Sequence, residues 1–312
     1  MIKMEKKIII YILLLLAAIL LAYALVIRLY DSQATSENAG KLPVATSFYP
    51  LYFFASRIGG DKAAIFNVTP AGAEPHDYEP TAQDLARIES SRLVILNGDG
   101  LEAWGQNIQA NLNPQKTEVI IASQGLLTEN LKSGGQETVD PHLWLSPPLA
   151  QKMIDNILRG FNAVDSKNKD YYTANAAALR LELEALDKAY RTGLDRCASR
   201  DIITSHAAFG YLAASYNLRQ IAIAGLSPDT EPSPQELADI SRFAKDNNIK
   251  YIFFESLVSP KLAQTIASEA GAETLVLNPL EGLSASSLAQ GQDYLSEMRN
   301  NLTNLRLALT CQ

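Results

Sequence analysis

The chain has 312 residues, of which 47% are apolar and 20% are charged, and its formal net charge is −7. These proportions are those of a globular protein, and the length exceeds what one compact core usually contains, so we expect two lobes. The acidic balance excludes binding of nucleic acid through a broad basic patch, since Lys and Arg form no run beyond the extreme N-terminus.

Residues 1–30 are predicted to be a transmembrane anchor or a signal segment. Residues 8–27 carry no charge, and these 20 residues are enough to cross a bilayer as a helix. Three lysines precede this stretch: Lys3, Lys6 and Lys7. Because positive charge is retained in the cytoplasm, we expect the chain after residue 30 to be extracytoplasmic. Cleavage at Ala22-Tyr23-Ala24 is the alternative, although the apolar core of a signal peptide is usually shorter, at about 7–15 residues.

A small, polar stretch at 31–42 is predicted to be a flexible linker. The N-terminal lobe, 43–147, follows it, and its strand candidates are 43–48, 64–68, 92–98 and 118–122. Helical patterns lie between these strands, near 50–59, 81–90 and 102–112. This alternation of short β-rich runs with helical patterns is typical of parallel α/β sheets.

A connecting helical region, 148–196, is predicted next, with a break near 165–168. Its second part is a helix of about 25 residues, or about 38 Å, which is longer than a crossover between parallel strands needs. The C-terminal lobe, 197–312, repeats the first plan, with strands at 201–206, 219–225, 251–256 and 273–278. Its helical patterns lie near 208–216, 233–247, 260–270 and 287–309. The predicted fold is α/β, with two pseudo-symmetric lobes, each a four-stranded mainly parallel sheet flanked by helices, joined by a long helical spine.

The chain contains three histidines, and each follows or ends a predicted strand. His76 follows the second strand, His142 follows the fourth, and His206 ends the first strand of the C-terminal lobe. Ligands of open α/β sheets bind beyond the carboxyl ends of the strands. A single histidine at such a place is more often a buried structural residue, but three at one edge predict a shared site in the cleft between the lobes.

A carboxylate is expected to complete a four-coordinate metal site with the three imidazoles. Glu255 and Glu281 each follow a strand of the C-terminal lobe at the same edge. Glu74 and Asp140 are candidates to orient an imidazole by accepting its second N–H. Three nitrogens and one carboxylate oxygen suit Zn²⁺, whereas Mn²⁺ and Fe²⁺ usually take more oxygen ligands.

The two cysteines, Cys197 and Cys311, lie at the start and the end of the C-terminal lobe. An even number of cysteines in an extracytoplasmic domain permits a disulfide. Two unrelated thiols are the other interpretation, and the sequence leaves both open.

The chain resembles the metal-receptor (solute-binding) proteins that deliver zinc or manganese to ABC-type importers. The resemblance covers about residues 43–312 and rests on the segments SFYPLYFFASRIGGD, GAEPHDYEPTAQD, RLVILNGDGLEAW, DPHLWLSP, SHAAFGYLAASYNL, GLSPDTEPSPQEL, FFESLVSPKLA and TLVLNPLEGL. It implies an ion held between two lobes joined by a long helix. Together these segments indicate the family far more specifically than any one of them does.

The resemblance also implies which residues hold the ion. The family's ligands correspond to His76, His142 and His206, and a histidine in the third position is similar to the zinc branch. Many members place an aspartate where this chain has Asn278, whereas the branch with an NxLEGL pattern places its acidic ligand at Glu281. The chain departs from many zinc receptors because the stretch before His142 lacks histidines.

We therefore predict an extracytoplasmic receptor that captures Zn²⁺ and delivers it to the membrane permease of an ABC importer. We expect a monomer without enzymatic activity or nucleic-acid binding, held at the cell membrane by its N-terminal helix, or periplasmic or extracellular if that segment is cleaved. Alternatives are a manganese or iron receptor of the same family and a zinc-dependent hydrolase, in which Glu255 or Glu74 would act as the base. A surface protein with a metal-stabilised fold has no support from repeats or an added module.

Overall fold

The computed structural model describes residues 39–312, except residues 99, 127–129 and 134–135, together with Leu15, Ile19, Leu21 and Tyr23. The chain divides into two compact units, Met1–Lys41 and Leu42–Gln312. The predicted anchor at 8–27 falls mostly outside the described residues. Among the residues that are described, no helix combines the length and apolar character that a membrane span requires.

The first half of the larger unit contains a four-stranded, entirely parallel sheet. Its strands are β1 (Leu42–Thr46), β2 (Ala63–Asn67), β3 (Leu93–Leu96) and β4 (Glu118–Ile121), in the spatial order β2-β1-β3-β4. Its helices are α1 (Tyr49–Gly59), α2 (Ala82–Ser90) and α3 (Gly105–Asn111). Val44 in β1 pairs with Ile65 on one side and with Leu93 on the other, so β1 lies inside the sheet.

A short antiparallel hairpin follows, which sequence analysis did not predict. Its strands are β5 (Asn130–Ser133) and β6 (Gln136–Val139). The sequence of this stretch is polar and lacks the alternation of apolar and polar residues that indicates a strand. The stretch between β4 and His142 therefore contains regular structure.

Two long helices connect the sheets, α4 (Pro147–Val164) and α5 (Lys169–Gly193), with a 3₁₀ turn at Ser166–Asn168 between them. Helix α4 ends at the predicted break, where the backbone of Asp165 is no longer helical. Its carboxylate accepts hydrogen bonds from Asn168 Nδ2 at 2.7 Å and from the Tyr172 hydroxyl at 2.6 Å. The buried residues of α5 recur every three or four positions: Tyr172, Ala176, Leu179, Leu183, Leu186 and Tyr190. One stripe of the helix thus faces the core.

The second half contains another four-stranded parallel sheet. Its strands are β7 (Asp201–Thr204), β8 (Arg219–Ala222), β9 (Tyr251–Phe254) and β10 (Glu273–Val276), in the spatial order β10-β9-β7-β8. Its helices are α6 (Gly210–Ser215), α7 (Pro234–Asp246), α8 (Lys261–Ala270), α9 (Ala285–Ala289) and α10 (Tyr294–Ala308). The predicted α/β class and the long helical connection are confirmed, while the boundaries predicted for the lobes stay predictions.

The prediction of one last helix near 287–309 is wrong, since α9 and α10 are separate. Gly291 adopts a φ of 77°, which ends the first helix. Asp293 then begins α10, because its side chain accepts a hydrogen bond from the backbone N–H of Ser296. A disulfide joins Cys311, just after α10, to Cys197 before β7.

The largest apolar core includes residues from both sheets and from the helices between them. Phe48, which follows β1, lies edge-on against Trp144 with ring centroids 4.7 Å apart. Phe54 in α1 packs in the same manner against Tyr294 of α10, at 4.9 Å. The two pairs are connected, since the Tyr294 hydroxyl donates to the carbonyl oxygen of Trp144, in the segment that carries His142.

Candidate metal centre

Four side chains converge at the carboxyl ends of the two sheets: His76, His142, His206 and Glu281. Their candidate ligand atoms all lie within 4.8 Å of one another. The Nε2 atoms face a single oxygen, Glu281 Oε1, at 3.4 Å for His76, 3.0 Å for His142 and 3.2 Å for His206. The structure thus brings together the four residues that the sequence indicates as ligands.

Each of these residues lies in a loop or turn that follows a strand. His76 lies in the loop between β2 and α2, and His142 lies between β6 and a 3₁₀ turn at Leu143–Leu145. His206 was expected to end its strand, but β7 ends at Thr204, so His206 belongs to the turn that follows. Glu281 lies after β10. Because parallel strands end at the same edge, His76, His206 and Glu281 meet there although they lie far apart in sequence. His142 reaches the same place after the antiparallel hairpin.

The ring of His142 is oriented by Asp140. The Asp140 carboxylate accepts hydrogen bonds from the backbone N–H of His142 at 2.9 Å and from its Nδ1 at 2.7 Å. A carboxylate partner requires the proton to be on Nδ1, so Nε2 is the atom available to a metal ion. Asp140 and His142 are both fully buried, so bulk water does not compete for their hydrogen bond.

The ring of His206 is oriented in the same way by Glu255. Glu255 Oε1 lies 2.6 Å from His206 Nδ1. Glu255 is thus placed behind the imidazole, on the side opposite Glu281, rather than among the four convergent donors. Of the two acids that the sequence offered for the fourth position, Glu281 is the one whose carboxylate lies among the convergent donor atoms.

Glu74 lies beside the cluster without joining it. Its carboxylate accepts a hydrogen bond from the backbone N–H of His76 at 3.3 Å. Two causes raise the pKa of Glu74 to about 9: burial is the larger, and the nearby charge of Glu281 is the second. Glu74 therefore carries a proton at neutral pH in the metal-free protein and adds no net charge to the site.

The protonation states of His142, His206 and Glu281 depend on one another and on the neighbouring carboxylates. Burial alone would lower the pKa of His142 and of His206, but the carboxylates of Asp140, Glu255 and Glu281 outweigh burial and raise both. Burial would raise the pKa of Glu281, but the charge of His206 and the hydrogen bonds from the histidines hold it well below its usual range. In the metal-free protein, His142 and His206 therefore hold protons on the Nε2 atoms that face Glu281.

Two buried atoms of the cluster lack hydrogen bonds within the described part of the chain, His76 Nε2 and Glu281 Oε2. A buried polar atom without a partner costs about 1–3 kcal/mol. A cation bound among the four side chains would satisfy both atoms. With three nitrogens and one carboxylate, this donor set fits Zn²⁺.

A protein family described as the periplasmic zinc-uptake complex component A, ZnuA, matches residues 44–308. The chain belongs to this family. The predicted resemblance to zinc receptors is thereby confirmed, and ZnuA relatives are found among both sequences and solved structures.

The high-affinity zinc uptake system protein ZnuA of Bacillus subtilis is 40% identical over 294 residues, which cover 89% of this chain and 91% of that protein. The zinc-binding lipoprotein AdcA of Streptococcus pneumoniae is 39% identical over 303 residues, which cover 93% of this chain but 60% of AdcA. The crystal structure of the Zn(II)-bound ZnuA-like domain of S. pneumoniae AdcA has a TM-score of 0.76 at 40% identity and covers 86% of this chain and 99% of that domain.

Proposed function

We propose that this protein is an extracytoplasmic receptor that captures Zn²⁺ and delivers it to the permease of an ABC importer. The observation that carries the proposal is the convergence of three histidine Nε2 atoms on one oxygen of Glu281. Membership of the ZnuA family and the zinc-uptake and zinc-binding relatives described above support zinc as the cargo and uptake as the process.

In this proposal His76, His142, His206 and Glu281 bind the ion directly, while Asp140 and Glu255 orient two of the imidazoles. A single oxygen donor among four favours Zn²⁺ over Mn²⁺, which prefers more oxygen ligands. A manganese receptor is accordingly less well supported.

A zinc hydrolase is the weaker alternative. A catalytic zinc needs an open position for the water that it activates. Four protein donors would fill a tetrahedral site, and Glu255, a candidate for the base, is instead hydrogen-bonded to His206 Nδ1. The arrangement favours reversible capture over catalysis, so we propose a receptor rather than an enzyme.

We further propose that the protein acts as a monomer and is held at the membrane by residues 8–27. The support is the 20-residue uncharged stretch and the three lysines before it. Cell fractionation tests the anchor: the full-length chain should stay with membranes after a high-salt wash. Recovery of a shortened chain in the soluble fraction would instead indicate cleavage.

Metal binding tests the function directly. The full-length protein, purified in mild detergent and freed of metal, is expected to bind one Zn²⁺ per chain. Mn²⁺ in roughly hundredfold excess should not displace it, because nitrogen ligands bind Zn²⁺ more tightly than Mn²⁺. Equal or tighter binding of Mn²⁺ would contradict a zinc receptor, and absence of metal binding would contradict the receptor function altogether.

Zinc binding is expected to release protons and to weaken as the pH falls. The pKa values of His142 and His206 are raised in the metal-free protein, so near pH 7 zinc must displace protons from their Nε2 atoms. Calorimetry in buffers of different ionisation enthalpy should therefore show proton release, up to about two per ion. Binding heats that do not depend on the buffer would contradict this account.

The same pKa shifts predict how the stability of the metal-free protein depends on pH. Because the folded pKa values of His142 and His206 are raised, their stabilisation is complete below the unfolded value of about 6.5 and is lost as the pH rises through the folded values. The raised pKa of Glu74 acts in the same direction. Thermal unfolding of the metal-free protein from pH 6.5 upward should thus show falling stability, and added zinc should suppress the decline.

A further inference from the structure

The turn that carries Glu281 is held by side chains that bind no metal themselves. It comprises Asn278, Pro279, Leu280 and Glu281, and it follows β10, which ends at Val276. Asn278, Leu280 and Glu281 are all buried. The path of these residues decides whether the Glu281 carboxylate enters the site.

Asn301 of α10 pairs with both backbone groups of Asn278. The N–H of Asn278 donates to Asn301 Oδ1 at 2.8 Å, and Asn301 Nδ2 donates to the carbonyl oxygen of Asn278 at 2.7 Å. The carboxamide thus takes the place of a neighbouring strand just where the chain leaves the sheet. Buried backbone groups need such partners, so this pairing determines where the turn begins.

The side chain of Asn278 then sets the direction of the turn. Its Oδ1 accepts a hydrogen bond from the backbone N–H of Leu280 at 2.8 Å, a local pattern that mimics a backbone turn. Leu280 adopts a φ of 60°, a left-handed conformation that disfavours residues with a Cβ. The leucine side chain is fully buried, so core packing and the Asn278 hydrogen bond together hold this conformation.

A third contact joins the turn to the segment that carries His142. The indole Nε1 of Trp144 donates to the carbonyl oxygen of Pro279 at 2.7 Å. The carbonyl oxygen of Trp144 in turn accepts from the hydroxyl of Tyr294 at 2.5 Å. Trp144 lies two residues after His142, so one rigid indole links the two segments whose side chains meet at 3.0 Å in the site.

We propose that Asn278 and Asn301 are positioning residues that hold the Glu281 carboxylate against the three histidines and so set the zinc affinity of the site. The inference rests on the proposed function, because it assumes that the four side chains bind zinc. Asn278 contributes no ligand: its Oδ1 is engaged by Leu280, and its Nδ2 faces Glu297 at 3.4 Å. Without these contacts the turn could adopt an ordinary conformation that withdraws Glu281.

Alanine variants of the two asparagines test the inference in the full-length protein. Asn278→Ala and Asn301→Ala are each expected to weaken zinc binding about 10–100-fold, as is usual when a group that orients a metal ligand is removed. Asn304→Ala is the matched control, because Asn304 lies on the same helix but donates its hydrogen bond to the carbonyl oxygen of Val276 in β10, at 2.8 Å, rather than to a residue of the turn. The control should keep wild-type affinity even if it unfolds at a lower temperature.

Co²⁺ supplies a signature that loss of stability alone would not change. The visible spectrum of bound Co²⁺ reports coordination, so it should change in both asparagine variants and stay the same in Asn304→Ala. Asn278→Ser keeps a weaker acceptor for the Leu280 N–H and should recover part of the affinity, which tests the turn even if Asn278→Ala folds poorly.

A double-mutant cycle with Glu281→Ala decides the outcome. If Asn278 acts through Glu281, Asn278→Ala should cause little further loss of zinc affinity once Glu281 is absent. An equal loss in both backgrounds, or wild-type affinity and spectrum in both asparagine variants, would overturn the positioning role and leave the zinc receptor intact. A wild-type protein that fails to bind zinc would overturn both proposals.

Discussion

Replacing Glu281 by alanine is expected to weaken zinc binding by roughly 10²–10³-fold. The free energy of zinc binding to structural sites with four ligands is about 10–16 kcal/mol. One ligand therefore accounts for roughly 2.5–4 kcal/mol, and about 1.4 kcal/mol corresponds to a tenfold change in affinity. Glu281 is the one acid among the convergent donors, so its removal also leaves the site without a compensating negative charge in direct contact with the ion.

Glu255→Ala is the matched comparison, because both acids are buried and both contact His206. Its loss should cost about 10–100-fold, since it orients an imidazole instead of binding the ion. Titration with a competing chelator measures both variants on one scale. A larger loss for Glu255→Ala than for Glu281→Ala would show that the roles of the two acids are reversed.

Replacing both Cys197 and Cys311 by serine is expected to lower the free energy of unfolding by about 3–5 kcal/mol. The disulfide closes a loop with a sequence separation of 114 residues, and a bridge across a loop of that length removes much conformational entropy from the unfolded chain. It also fixes the segment after α10 to the segment before β7, so fraying of α10 would begin more easily in the variant.

Denaturant unfolding of the metal-free protein measures this effect, with the oxidised and reduced wild type as controls. The reduced wild type should unfold at the same denaturant concentration as the serine variant. If the variant loses less than about 1 kcal/mol, the bridge contributes little beyond the packing of α10.

Most strands could be predicted from the sequence because each is a short apolar run between turn signals. The predictions extended one to three residues too far at the carboxyl ends. Residues 47–48, 97–98 and 205–206 continue the pattern of their strands, but the strands end at Thr46, Leu96 and Thr204. Local propensity does not distinguish a strand residue from a site residue that follows it.

The hairpin β5–β6 and the division of the last helix were missed for different reasons. The hairpin segment is polar, so no apolar face indicated its strands. The break before α10 depends on Gly291 in a left-handed conformation and on the N-cap of Asp293. Those signals are present in the sequence, but they were outweighed by the helical pattern on both sides.

The sequence by itself determined the kinds of donor and the edge at which they meet. Three histidines beyond the ends of parallel strands indicate a nitrogen-rich metal site, because the topology of such sheets gathers strand ends at one edge. The resemblance implied Glu281 as the acid that joins them, and the tertiary structure places it there for a reason that strand positions alone do not supply. Glu255 and Glu281 both follow strands of one sheet, and their roles depend on where the backbone turns next. That turn combines a local hydrogen bond from the Leu280 N–H to Asn278 with contacts to Asn301 and Trp144, and these two residues lie outside the turn, where no local pattern links them to it.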